Sequence, residues 1–193
     1  MNNAKNIIKL LFIFLAGILV CGGFFTDTKI TQAQNSPKII QKLVNFGFEK
    51  SNGRKIDTII IHSTYNPSGT DKFNLNKILS IYKSYGVSPH YIIDRTGNIY
   101  QLVSDKNIAY HAGKSKTPDG RTEVNNFSLG IEIINDKISK PTDQQYTALN
   151  SLSTYLKSKY SIKYVLGHNQ VSPGRKDDPW NFDWGKVNSF TRK

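Results

Sequence analysis

The sequence predicts an α/β protein, a single domain with a central mixed β-sheet flanked by helices and a site at the edge of the sheet. Three observations carry the fold. Short β-branched runs bounded by polar or turn residues recur along the chain as strands. Two longer segments place apolar residues at helical spacing behind recognisable caps. No linker or internal repeat divides the 193 residues, a length that suits one compact domain with a short extension.

Taken in order, the chain starts with Lys5 and Lys9, an apolar run from Leu10 to Val20, and Thr31-Gln32-Ala33 as a small-residue cleavage site. Residues 1–33 are therefore expected to be a signal peptide or N-terminal anchor. The protein is expected to be exported, that is periplasmic, in the cell envelope or extracellular. The single cysteine, Cys21, excludes a disulfide framework and any cysteine-rich metal site. Val20 stands where a lipoprotein signal needs a small residue, which argues against lipidation at Cys21. Residues 34–55 read as a polar lead-in with an apolar patch at Ile39, Ile40, Leu43 and Val44, and the domain proper is expected over 56–193.

Asp57 to Ile61 is β-branched and reads as a buried strand, followed by an Asn66-Pro67-Ser68-Gly69 turn. Asn74 caps a helix whose apolar face is Leu75, Ile78, Leu79 and Tyr82, with Gly86 placed to stop it. His90 to Asp94 and Ile99 to Val103 are strands joined through Arg95-Thr96-Gly97-Asn98. Asn107 to Asn126 is a polar, glycine-containing loop, long enough to favour a functional role. Ser128 to Ile134 is a strand that is almost wholly apolar apart from Glu132. Thr142 and Gln145 form a capping box for a helix with Tyr146, Leu149, Leu152 and Leu156 on one face. Ile162 to Leu166 is the last strand, and Phe182-Asp183-Trp184 leads into a short closing helix.

With 38% apolar and 11% aromatic residues, disordered and fibrous classes are excluded. The formal charge of +12 favours anionic partners. The cations are nevertheless scattered, and Lys114/Lys116 and Arg175/Lys176 are too small to make a nucleic-acid footprint.

His62 ends one apolar run, His168 ends another, and the Pro173-Gly174 turn can bring Asp178 back toward them. Two imidazoles and a carboxylate suit one zinc ion and leave a fourth position for water. The same residues also fit two polar strand ends and a capping aspartate. Glu132 is costly to bury unpaired, so it either faces a cleft as general base or faces solvent on an edge strand. Lys176 is carried close to Asp178 and either stabilises an oxyanion or is a solvated loop residue. Tyr110, His111 and Asn125 are candidates for lining a substrate groove. His90 opens an apolar run and reads as a structural histidine within the sheet.

Together these pieces resemble the zinc-dependent N-acetylmuramoyl-L-alanine amidases of the type-2 family, related to peptidoglycan recognition proteins and T7-like phage lysozymes. The resemblance spans Ile56 to Trp184. Its motifs, in family order, are Ile60-Ile61-His62-Ser63-Thr64, Val87-Ser88-Pro89-His90-Tyr91-Ile92-Ile93-Asp94, Asn98-Ile99-Tyr100-Gln101-Leu102-Val103, Tyr110-His111-Ala112-Gly113, Ser128-Leu129-Gly130-Ile131-Glu132, and Gly167-His168 with Pro173-Gly174-Arg175-Lys176-Asp177-Asp178-Pro179.

The resemblance implies that His62, His168 and Asp178 bind one Zn2+ and that Glu132 and Lys176 are catalytic. It implies hydrolysis, by zinc-activated water, of the amide between N-acetylmuramic acid and L-alanine in peptidoglycan or its fragments. The alternative is a non-catalytic peptidoglycan-binding recognition protein, but such members commonly lack the third ligand, which Asp178 supplies. The implied partners are bacterial peptidoglycan or muropeptides, with no nucleic acid, a monomeric state, and membrane contact only through an N-terminal anchor. The last motif is most similar to the branch of cytoplasmic anhydro-muropeptide amidases and their exported lipoprotein relatives. With export expected, a role in cytoplasmic recycling of fragments is disfavoured. Two departures stand out. Tyr110 replaces the usual loop tryptophan. The phage-type cysteine ligand and the tyrosine before the histidine are here Asp178 and Pro89, so that tyrosine's role is not carried over.

Overall fold

Residues 36–187 are described by the computed structural model, so the expected signal or anchor over 1–33, with Cys21, lies outside the described residues. The sheet is built on β3 (Thr58–Thr64) and β7 (Ser128–Ile134), parallel neighbours in register from Thr58 opposite Ser128 to Thr64 opposite Ile134. Both are rich in β-branched residues, which keep their preferred side-chain rotamers on a pleated surface. β8 (Tyr164–Gly167) flanks β3 in parallel, and β4 (Tyr91–Ile93) flanks β7 in parallel. β5 (Ile99–Gln101) pairs antiparallel with β4, and β1 (Ile39–Gln41) closes the edge parallel to β5. The order β1-β5-β4-β7-β3-β8 makes the sheet mixed, as the sequence predicts.

Alternation along the central strands assigns the two faces. Ile59, Ile61, Leu129, Ile131 and Ile133 pack with Leu149, Leu152 and Leu156 of α2 (Asp143–Lys159). On the opposite face Ile92 and Ile134 pack with Ile78 and Tyr82 of α1 (Leu75–Tyr85), and Ile60 packs with Ala112, Val124 and Val171. Coverage of both faces explains the nearly continuous apolar runs. His62 and Glu132 share parity with Ile60 and Ile134, so both belong to the second face.

The helix ends follow their caps. Asn74 Oδ1 accepts from Lys77 N at 3.1 Å, and Gly86 adopts φ +62°, the left-handed conformation that ends α1. Thr142 Oγ1 accepts from Gln145 N at 3.1 Å, while the Gln145 side chain accepts from Thr142 N at 3.0 Å.

Some expected boundaries shift. β3 runs on past Ile61 to Thr64 because β7 pairs with it over that whole length. β8 begins at Tyr164, since Lys163 N and Tyr164 N both donate to Asp57 O. The lead-in contributes β1 to the sheet, and β2 (Phe48–Glu49) pairs with β6 (Ile108–Ala109), a strand inside the expected structureless loop. That loop ends in a 3-10 turn over Val124–Phe127, and the closing helix is a 3-10 turn over Trp184–Lys186. Among the described residues no helix is long and apolar enough to cross a membrane.

The two ways in which α2 is held differ in size. Leu149 is fully buried, so Leu149→Ala is expected to cost about 2–5 kcal/mol. Thr142→Ala loses one cap bond, at about 1 kcal/mol. Denaturant unfolding checks the ranking, and a Thr142→Ala cost equal to that of Leu149→Ala contradicts it.

Candidate active site

Ile61 lies opposite Gly167 in the parallel β3–β8 pair, so His62 and His168 leave neighbouring strands side by side at the carboxyl end of the sheet. His168 opens the one-turn helix α3 (His168–Val171). Both imidazoles are buried, at 2% and 4% exposure. Asp178 returns through a turn in which Gly174 takes φ +77°. Asn169 N donates to Asp178 O at 2.8 Å, and Ser63 N donates to Asp178 Oδ2 at 3.4 Å. Asp177 instead turns outward, accepting from Lys137 Nζ at 2.6 Å and Trp180 Nε1 at 2.9 Å.

Three donor atoms form a small triangle. His62 Nδ1 and His168 Nδ1 are 3.0 Å apart, and each lies 3.3 Å from Asp178 Oδ2. Two ligands on a tetrahedral metal with bonds of about 2.05 Å are separated by about 3.3 Å, so the spacing is that of a ligand set.

Proton placement agrees. His168 Nε2 lies 3.0 Å from Ala112 O, a pure acceptor, so Nε2 carries a hydrogen and Nδ1 is the nitrogen turned toward His62 and Asp178. His62 Nε2 faces His111 Nδ1 at 3.0 Å, and His111 Nε2 faces Ser128 Oγ at 3.2 Å. Burial lowers His62 to about 4, with the opposing pull of Asp178 insufficient to reverse it, so the ring is neutral near neutral pH. Burial alone raises Asp178, but the hydrogen bonds and charges of His168 and His62 hold it well below the usual carboxylate range. Two imidazole nitrogens and a carboxylate oxygen thus converge on one point, an arrangement that a divalent cation satisfies. Among the described residues this is the trio whose donor atoms fit a metal.

Glu132 lies opposite His62 in the β3–β7 register and faces the same cleft, of about 560 Å3. Its Oε2 is buried with no hydrogen-bond partner. Burial pushes its pKa well above the usual carboxylate range and the charge of Asp178 adds to this, while Tyr82 and Lys176 pull the other way. A carboxylate so poorly solvated is a strong proton acceptor. Lys176 is exposed and lines the cleft, and Tyr110 stands at its rim with 37% exposure.

Asn125 and His111 are engaged within the protein. Asn125 Oδ1 accepts from His111 N at 3.2 Å and Ala112 N at 2.9 Å, which pins the loop. His111 spans His62 and Ser128. His90 accepts from Gly130 N through Nδ1 at 3.1 Å, a bond within the sheet as its position suggested.

Three residues of the site were not picked out in sequence. Arg175 donates to Ala112 O at 2.8 Å and Lys114 O at 2.9 Å, clamping the loop whose carbonyl orients His168. Tyr82 places a buried hydroxyl in the cleft near Glu132. Ser128 anchors His111. Arg175 and Ser128 carried a sequence signal, their places in the Pro173–Pro179 and Ser128–Glu132 motifs; a tyrosine on an apolar helix face is ordinary.

The model of the family described as N-acetylmuramoyl-L-alanine amidase matches residues 52–181. The chain is 38% identical over 110 residues to the 1,6-anhydro-N-acetylmuramyl-L-alanine amidase AmpD of Haemophilus influenzae, covering 55% of this chain and 59% of that protein. It thus spans about three fifths of that relative's length. Among solved structures, a selenomethionine derivative of AmpD superposes with a TM-score of 0.69 at 27% identity, over 77% of this chain and 92% of that one. AmiD from E. coli, in complex with anhydro-N-acetylmuramic acid-L-Ala-D-gamma-Glu-L-Lys, gives 0.60 at 27% identity, over 73% and 64%.

These relatives correct one expectation. The AmpD enzymes are cytoplasmic and AmiD is a periplasmic lipoprotein, so the exported, periplasmic, cell-envelope or extracellular location expected from residues 1–33 does not stand as read from that segment. A basic start followed by a short apolar run is a compositional pattern, and it does not by itself fix a compartment.

The donor triangle predicts uptake of one divalent ion per chain, with Asp178→Ala losing tight binding in equilibrium dialysis against zinc. Uptake by Asp178→Ala equal to wild type contradicts the ligand set.

Proposed function

The chain belongs to the type-2 N-acetylmuramoyl-L-alanine amidase family, and from that premise we propose that it hydrolyses the amide between the lactyl group of N-acetylmuramic acid and L-alanine in peptidoglycan or its fragments. The observation that carries this reading is the triangle of His62, His168 and Asp178 donor atoms beside Glu132, whose buried Oε2 has no hydrogen-bond partner.

His62, His168 and Asp178 would hold one Zn2+. When bound, zinc supplies Lewis acidity, polarising a carbonyl and bringing the pKa of water toward neutrality. Glu132 Oε2 takes the proton of the attacking water and returns it to the departing amine of L-alanine. Lys176 sets a positive charge beside the carbonyl oxygen as negative charge develops there. The carbon–nitrogen bond breaks, leaving a carboxylate on the muramoyl side and a free amine on the peptide. Tyr110 offers an aromatic surface at the rim for the sugar or peptide. The buried third ligand and the poised glutamate favour catalysis over recognition alone. The positive charge of the chain suits an anionic wall polymer or fragment.

Small fragments stand on equal terms with polymer, since the reason for disfavouring them was export. The named activity of AmpD is directed at 1,6-anhydro-N-acetylmuramyl-L-alanine, and AmiD was solved with an anhydromuramyl tripeptide.

Mass spectrometry of wall digests and of anhydromuramyl peptides treated with the purified chain is expected to show new free L-alanine amino termini. Excess chelator should abolish their formation and added zinc restore it. Glu132→Gln should lower kcat/KM by at least about 10²-fold with zinc retained. Wild-type turnover in Glu132→Gln sinks the role given to that residue, and cleavage at other bonds sinks the reading as a whole.

A further inference from the structure

Both ring nitrogens of His111 are committed inside the protein. Ser128 Oγ donates its hydrogen to Val124 O at 2.6 Å. Toward His111 Nε2, 3.2 Å away, that oxygen is therefore an acceptor, and Nε2 carries the ring hydrogen. His111 Nδ1 is left with a lone pair, and at 3.0 Å it accepts from His62 Nε2. The sequence of bonds ends at His62 Nδ1, which has no hydrogen and points into the donor triangle.

We infer that His111 and Ser128 are positioning residues that fix His62 in the one tautomer able to bind metal through Nδ1. The inference rests on the metal reading of His62 and deepens it, naming two residues that act on the site through His62.

Other features of the fold serve the same arrangement. The rings of His62 and His111 meet edge to face, with centroids 5.2 Å apart and planes at 86°. Gly130 leaves room for the His111 ring, since a Cβ at that position would lie 2.5 Å from His111 Cγ. Asn125 Oδ1 accepts from the backbone N–H of both His111 and Ala112 and so holds that turn of the loop. The two histidine ligands are thus oriented by consecutive residues, His168 by the carbonyl of Ala112 and His62 by the side chain of His111. Partners that fix tautomer and ring direction in this way commonly contribute about 10–100-fold to metal affinity.

The test is zinc affinity, measured on the full chain by competition with a chromophoric chelator. His111→Phe fills the space without an acceptor and is expected to bind zinc about 10–100-fold more weakly while staying folded. His111→Asn returns an acceptor toward His62 and should recover most of the loss, which lost packing alone does not explain. Ser128→Ala should give a smaller loss. Nitrogen-15 imidazole NMR should show His62 as the Nε2–H tautomer in the wild-type chain and a mixture in Ser128→Ala. A folded His111→Phe that binds zinc as tightly as wild type overturns the inference. Should His111→Phe fail to fold, Ser128→Ala decides: weaker zinc binding with mixed tautomers supports the inference, and unchanged affinity with an unchanged spectrum overturns it. A wild-type chain that takes up no zinc contradicts the metal reading itself, and the inference falls with it.

Discussion

The parallel pairing of β3 with both β7 and β8 is the constraint on which the rest depends. Its register sets Ile61 against Gly167 and His62 against Glu132. Side chains alternate with a period of two, so a slip of one residue in β3 would send His62 into the α2 core and Ile61 into the cleft. That error is costly in both directions, because it exposes a buried isoleucine and buries an imidazole without its partners. The apolar runs Thr58–Thr64 and Ser128–Ile134 therefore act as more than core. They fix where His62 and Glu132 stand in the cleft.

The strands alone do not complete the site. The loop after β6 lends the Ala112 carbonyl and the His111 ring, and the segment after α3 lends Asp178 and Lys176. Arg175 ties these two segments together through Ala112 O and Lys114 O. Trp180 N donates to Ser63 Oγ at 3.1 Å, which fastens the far side of the Asp178 turn to β3. The two loop segments are thereby tied to each other and to β3. A metal ligand set needs this, since an error of a few tenths of an ångström in a ligand position is felt directly in binding.

Much of this was legible in the sequence, and the limits have physical causes. The strand from Ser128 to Ile134 and both helix caps follow from local chemistry: β-branched runs, Asn74 with Gly86, and the Thr142–Gln145 box. His62, His168 and Glu132 were visible because each ends or interrupts an apolar run, and Asp178 because it follows the Pro173-Gly174 turn in the last motif. β1 and β2 were hidden because each is short, only partly buried and paired with a strand remote in sequence, so neither an apolar run nor a hairpin turn marks it. The commitment of His111 to Ser128 was hidden because it is a contact between a loop and the start of a strand, and no spacing along the chain encodes it. The location assigned to the N-terminal stretch failed for a related reason, since composition describes a segment without saying where the chain resides.

One cleft thus gathers His62 and His168 from two strand ends and Asp178 from a returning loop, residues whose donor atoms fit a metal, with Glu132 on the strand beside His62. The most direct test of that centre is the X-ray absorption spectrum of the zinc-loaded chain at the zinc edge. A four-coordinate shell is expected, with two imidazole nitrogens and two oxygens at about 2.0–2.2 Å, one oxygen being lost in Asp178→Ala. A six-coordinate oxygen shell, or a shell with fewer than two imidazoles, would contradict the assembly of His62, His168 and Asp178 into one site.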